Sequence, residues 1–217
     1  IETVREAVGS DFIIGIRMVC DEMLADGLKA EEGLEIAKTI TATGMVDFIN
    51  VIKGHIDTNE GLSHVIPGMG TPVAPSMKLA GRVRQETGLP VLHACRINDV
   101  ATARHAISSG LLDMVGMTRA HIADPHIVRK IMRGEEERIR PCVGAGYCID
   151  RIYQGGEALC IHNAASGREA TMPHAIVKRD RPRKIVVVGA GPGGLEAARV
   201  SAERGHEVIV YEAAAEA

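Results

Sequence analysis

The sequence predicts an α/β fold: four parallel strand–helix units in a row, then a cysteine-bearing loop segment, then a strand–turn–helix–strand unit. Three observations predict it. β-Branched apolar runs alternate with helical stretches over roughly the first 135 residues. Three of the five cysteines crowd into positions 142–160. A glycine-rich turn lies between a strand-like and a helix-like stretch after Lys184.

The apolar runs are Phe12–Met18 (FIIGIRM), Val46–Ile52 (VDFINVI), Pro90–Ile97 (PVLHACRI) and Leu112–Thr118 (LDMVGMT), with helical stretches such as Ala30–Thr41 and Asp99–Ser109 between them. Strands rich in Val and Ile that alternate with helices imply parallel βα units. A spacing of roughly 20 to 45 residues per unit suits a barrel or a doubly wound sheet. Four units are half of a (β/α)8 barrel. Half a barrel leaves open edges and an exposed apolar inner face, so the sequence reads as a fragment, truncated at both ends, that is not expected to fold alone.

Residues 138–184 break the pattern. Gly144, Gly146, Gly155 and Gly156 punctuate the cysteine segment, and Gly167–Lys184, with its KRDRPRK run, reads as a solvated linker. The expected organisation is 1–137 for the half-barrel, 138–184 for the cysteine segment and linker, and 185–217 for the opening of a Rossmann-like domain.

Composition excludes several functions. The chain has 217 residues, 46% hydrophobic and 24% charged, with a net charge of −3, so no polyanion partner is expected. Two Phe, three Tyr and no Trp are too few for a base-stacking surface, so nucleic acid is excluded. No apolar run approaches the ~18 residues of a membrane span, and the N-terminus does not read as a signal peptide. An odd, locally clustered cysteine count favours metal ligation in a reducing compartment, the cytoplasm, over disulfides.

Gly189, Gly191 and Gly194 form G-x-G-x-x-G after the strand Ile185–Val188, and Glu212 follows 18 residues after Gly194, at the end of the next strand. The glycines allow a tight turn, approach of a pyrophosphate and close helix packing, and the helix N-terminus favours the anion. A carboxylate at 212 suits a ribose 2′-OH, which favours FAD, NAD or ADP over NADP.

Cys142, Cys148 and Cys160 are spaced C-x5-C-x11-C. Thiolates in one glycine-punctuated loop suit an iron–sulfur cluster or zinc; the lack of paired C-x2-C spacing weighs against zinc. Cys20 and Cys95 read as core or loop residues.

The order of barrel units, cysteine segment and VVVGAGPGGLEAA resembles the trimethylamine dehydrogenase and 2,4-dienoyl-CoA reductase group of NADH:flavin oxidoreductases. Within it, RPCVGAGYCIDRIYQGGEALCIHNAASGRE is most similar to N-methylproline demethylase-type members. The resemblance implies an FMN-binding TIM barrel, a [4Fe–4S] segment and a C-terminal nucleotide-binding region. It places Arg17 at the flavin, Cys95 and Arg96 at the FMN phosphate, and Met117, Thr118 and Arg119 of GMTRAHIADP at the same phosphate. Loops after the last two barrel strands form the usual phosphate site, and arginine is a good bidentate partner. Two departures stand out: Ala145 occupies the place of a family cysteine, so the centre is [4Fe–4S] with another ligand, [3Fe–4S] or absent, and Cys95 stands where glycine is usual.

The resemblance further implies an FMN-centred oxidoreductase. The first reading is oxidative N-demethylation of a small N-methylated amine; the runner-up is NAD(P)H-dependent reduction of an enoate or dienoyl thioester. A non-catalytic electron-transfer flavoprotein component is the reading of another class, favoured by Ala145. Partners are a small-molecule substrate and an electron-transfer flavoprotein or NAD(P)H; homo-oligomerisation stays open. His55, Asp57 and His93 are near the catalytic face, but no catalytic acid or base is assigned.

Overall fold

The computed structural model describes residues 1–215; the last two residues of the expected 185–217 segment lie outside the described residues. They form two compact units, Ile1–Ser166 and the part from Gly167 onward.

The strands of the first unit are β1 (Gly15–Val19), β2 (Phe48–Ile52), β3 (Val91–His93) and β4 (Met114–Val115). They form one parallel sheet in the order β1-β2-β3-β4, the succession expected of adjacent βα units of a TIM barrel. Strands β2, β3 and β4 lie inside their predicted runs; β1 starts inside the Phe12–Met18 run and ends one residue past it, at Val19. The helices are α1 (Glu2–Val8), α2 (Ala30–Ala42), α3 (Asn59–Val65), α4 (Met77–Thr87), α5 (Val100–Ser108), α6 (Thr118–Ala123), α7 (Ile127–Met132) and α8 (Tyr147–Tyr153). In the second unit β5 (Lys184–Val188) and β6 (Glu207–Tyr211) pair in parallel, joined through α9 (Pro192–Glu203).

Strand alternation gives the four-stranded sheet two unlike faces. Ile49, Val51 and Val91 point to the helices and are fully buried there with Leu34, Ala37, Ala80 and Val83. The opposite face carries Arg17, Asn50 and Leu92, which the strand register aligns in one row. Close docking holds the helical layer down: a Cβ at Gly33 of α2 would overlap the carbonyl of Cys20. Asp99 caps α5 by accepting the N–H of Thr102 at 2.7 Å. No helix among the described residues is long and apolar enough to cross a membrane.

Candidate functional site

The carboxyl ends of β1–β4 open into a cavity of about 200 Å³. Arg17, Asn50, Lys53, Cys95, Gly116 and Thr118 line it. This is the end at which parallel α/β folds bind ligands. Arg17 is exposed, and the Lys53 ammonium lies 3.2 Å from Asp21. Asn50 and Lys53 were not singled out from the sequence. Asn50 interrupts an apolar strand at the same parity as Ile52, a signal that strand alternation alone reveals.

Cys95 is buried, with its Sγ 3.7 Å from the carbonyl of His64. Burial pushes its thiol up, against the opposing influence of Ser76, Arg119 and Lys53. His93 lies on the other side of the sheet. It is fully buried, with Nδ1 2.8 Å from the Val51 carbonyl, which makes Nδ1–H the donor and leaves Nε2 without a partner. His55 is fixed between the Glu22 carbonyl and the Thr58 hydroxyl, and Asp57 is exposed.

Met117, Thr118 and Arg119 diverge because α6 starts among them and successive helical residues turn by about 100°. Met117 packs against the core beneath the sheet. Thr118 lines the strand-end cavity. Arg119 donates to the Pro67 carbonyl at 2.8 Å and lines a different cavity, the one that holds the cysteines. Arg96 has φ 50° and donates through Nη2 to the Met69 carbonyl at 3.2 Å, while its Nε and Nη1 are buried without partners. A Cβ on Gly144 would overlap that guanidinium, so the cysteine loop rests on Arg96.

Cys142, Cys148 and Cys160 line one small cavity of about 30 Å³. Ala145, Gly144, Gly146, Arg119, Ile122 and Leu159 also line it. All three cysteines are free thiols and half-buried. Burial raises the Cys148 thiol; the Ile149 N–H and Arg119 oppose this, and Cys142 and Cys160 add to it. The Cys142 and Cys160 sulfurs are therefore each within electrostatic reach of Cys148. Among the described residues no three His, Cys, Asp or Glu side chains form a single-ion site. A zinc ion with bonds of about 2.3 Å would draw its sulfurs much closer together than a cluster that binds each thiolate through its own iron. The donor set, soft sulfurs in a largely apolar cavity, fits an iron–sulfur centre.

Distant residues hold this loop. Asn98 donates to the Cys142 carbonyl at 2.6 Å. Asp124, 3% exposed, accepts from Lys130 at 2.5 Å and from the N–H groups of Arg140 at 2.9 Å and His126 at 3.0 Å. Burial alone would raise the Asp124 carboxyl, but these partners hold it below the usual range. Asn163, also buried, donates to the Ile122 carbonyl at 2.8 Å.

In the second unit Gly189 has φ 98°, which favours glycine, and a Cβ on Gly194 would overlap the Gly189 carbonyl. Gly191 has open space where a Cβ would stand. Glu212 accepts the Ala190 N–H at 2.6 Å and the Ala214 N–H at 3.0 Å. Backbone N–H groups of Ala214, Ala190 and Ala213 hold its carboxyl below the usual range.

Residues 1–138 match the model of the NADH:flavin oxidoreductase / NADH oxidase family. The chain belongs to that family, a class of flavin-dependent oxidoreductases. It is 60% identical over 216 residues to a probable N-methylproline demethylase of Rhizobium meliloti (strain 1021), covering 100% of this chain and 32% of that protein. It is 51% identical to an N,N-dimethylglycine/sarcosine dehydrogenase of Chromohalobacter salexigens, covering 99% of this chain and 31% of that protein. Among solved structures, histamine dehydrogenase from Rhizobium sp. 4-9 superposes with a TM-score of 0.88 at 26% identity, over 99% of this chain and 31% of that one. The chain thus spans about a third of the length of the curated relatives it matches.

Proposed function

We propose that the full-length protein is an FMN-dependent oxidoreductase that N-demethylates a small N-methylated amine, and that this chain supplies part of its flavin site and an iron–sulfur segment. The observation that carries the reading is the pairing, within one unit, of a cationic strand-end cavity with a three-thiol cavity. The likeness to relatives named for N-methylated amines supports the substrate class. Residues 1–137 form the barrel portion in this reading, 138–184 the cysteine segment and linker, and 185–217 the start of the nucleotide domain.

FMN, when bound, supplies an acceptor for two electrons that can leave singly. Arg17 and Lys53 put positive charge at the cavity, Thr118 and the Cys95 N–H offer donors, and the unpartnered Nε and Nη1 of Arg96 suit a phosphate oxygen. Cys142, Cys148 and Cys160 would hold a [4Fe–4S] or [3Fe–4S] centre. Met117 would contribute by packing, and Arg119 by placing its charge at the thiol cavity. The turn Gly189, Gly191 and Gly194, with Glu212, would take FAD or ADP. Its open face at Gly191 fits a diphosphate, and the Glu212 oxygens keep lone pairs for ribose hydroxyls. The redox partner is an electron-transfer flavoprotein or NAD(P)H, in the cytoplasm.

The test is an anaerobic preparation of the full-length protein, assayed for iron, acid-labile sulfide and flavin bleaching by N-methylproline and sarcosine. Bleaching by amines with about three or four irons per chain is expected. Bleaching only by NAD(P)H, reversed by an enoyl thioester, would replace the demethylase reading with the reductase one. No bleaching by any of these would leave an electron-transfer component. In Cys148→Ser the iron content should fall to near zero.

A further inference from the structure

The KRDRPRK run reads in the sequence as a solvated linker, but in the structure it builds a cavity. Arg179, Asp180, Arg181 and Arg183 from the run join Ile185, Arg204 and His206 around a space of about 520 Å³. All seven residues belong to the second unit. The site lies at the amino ends of β5 and β6, whereas the glycine turn follows the carboxyl end of β5.

Backbone hydrogen bonds fix the walls. The Arg179 N–H donates to the Arg204 carbonyl at 2.9 Å, tying the run to the end of α9. The Arg183 N–H donates to Nδ1 of His206 at 3.3 Å, so in the neutral ring Nε2 carries the proton and is a donor. The Glu207 N–H donates to the Arg183 carbonyl at 2.9 Å.

The charges in this cavity are not balanced. Four guanidiniums face one carboxylate, Asp180. Among the described residues none of these arginines has an ion-pair partner. The other described carboxylates of the unit are engaged elsewhere: Glu169 with His174, Glu196 and Glu203 with Arg199, Glu207 with Lys184, and Glu212 with backbone N–H groups. Nε of Arg204 is buried with no hydrogen-bond partner. A buried guanidinium N–H without an acceptor is unfavourable, as is a gathering of like charges, and one oxyanion relieves both. The carboxyl end of α9 adds only a partial negative charge.

We propose that this cavity is a binding site for a small phosphorylated molecule carrying at least two negative charges. Several arginines that present forked donors suit tetrahedral oxyanions. A lining with Ile185 as its one apolar side chain gives no platform for a hydrophobic ligand. The site is separate from the nucleotide turn and does not depend on the redox assignment.

The test is calorimetric titration of the full-length protein with inorganic pyrophosphate at low ionic strength. Saturable binding that weakens as salt is added is expected. Arg204→Gln removes the buried donor and Arg181→Gln an exposed one; each should raise Kd by about tenfold or more. Circular dichroism melts check both folds, and if Arg204→Gln unfolds, the exposed Arg181→Gln decides. Absence of binding by the unaltered protein would overturn the proposal, as when an acidic stretch of the polypeptide fills the cavity. So would equal affinity in the folded variants, which would place the pyrophosphate elsewhere.

Discussion

The cysteine loop and the glycine turn are both glycine-punctuated, but they are held in opposite ways. The turn at Gly189–Gly194 is supported from within its own strand–helix–strand unit: the Gly189 N–H meets the Tyr211 carbonyl at 2.7 Å, and Glu212 binds the Ala190 N–H. The loop carrying Cys142, Cys148 and Cys160 is supported from a distance by Asn98, Arg96, Asp124 and, through Asn163, the Ile122 carbonyl. One site is held within a single strand–helix–strand unit; the other depends on several separate elements of the barrel portion. The two should respond differently to substitution.

The largest effect is expected at Asp124. Asp124→Asn removes the charge that accepts from Lys130 and from two backbone N–H groups, at a cost of about 2–3 kcal/mol. Lys130 is 21% exposed and recovers some solvation, which keeps the loss below that of a fully buried pair. The pH dependence has a definite sign. The folded carboxyl titrates below its unfolded value, so its contribution is present above the unfolded pKa of about 3.9 and is lost as pH falls through the lower folded value. Urea midpoints of the full-length protein should separate at pH 7 and converge in acid. A constant gap between the two proteins across that range would show that Asp124 is not the clamp.

Next comes a pair within the turn. Gly194→Ala forces a Cβ onto the Gly189 carbonyl and should cost about 1–3 kcal/mol of local stability together with nucleotide affinity. Gly191→Ala meets open space, so it should leave the thermal melt unchanged and weaken ADP binding by blocking approach. Melts and ADP titrations of both variants separate a packing role from a binding role. Identical behaviour of the two glycines would break the division.

These contrasts also explain what the sequence made legible. All four barrel strands overlap their predicted runs, three of them wholly inside, because buried β-branched residues such as Ile49, Val51 and Val91 mark a strand. Helices α6, α7 and α8, of six or seven residues, are too short to print a periodic pattern and were not predicted. At the site, adjacency in sequence grouped Met117, Thr118 and Arg119 together. The first turn of α6 sends them to the core, the strand-end cavity and the thiol cavity. Only the placement of the helix start distinguishes those directions. Asn98 and Asp124 went unnoticed because each reaches the cysteine loop from a separate element, a relation outside any single strand–turn–helix motif of the kind that marks Glu212.

The smallest expected effect tests whether distant support is cooperative. Asn98 gives one hydrogen bond to the Cys142 carbonyl, and its own Oδ1 is buried without a partner. Asn98→Ala loses the first and relieves the second, so the net cost should be about 1 kcal/mol or less. If the loop rests on independent anchors, combining Asn98→Ala with Asp124→Asn should give the sum of the two losses in urea midpoints. The two anchors grip the same segment, Asn98 at Cys142 and Asp124 at the Arg140 N–H two residues earlier, so a loss smaller than the sum is expected: once Asp124 has let go, Asn98 has less ordered backbone to hold. Strict additivity would mean that the two anchors act separately even at this spacing, and that Cys142 keeps its place when the clamp at Arg140 opens.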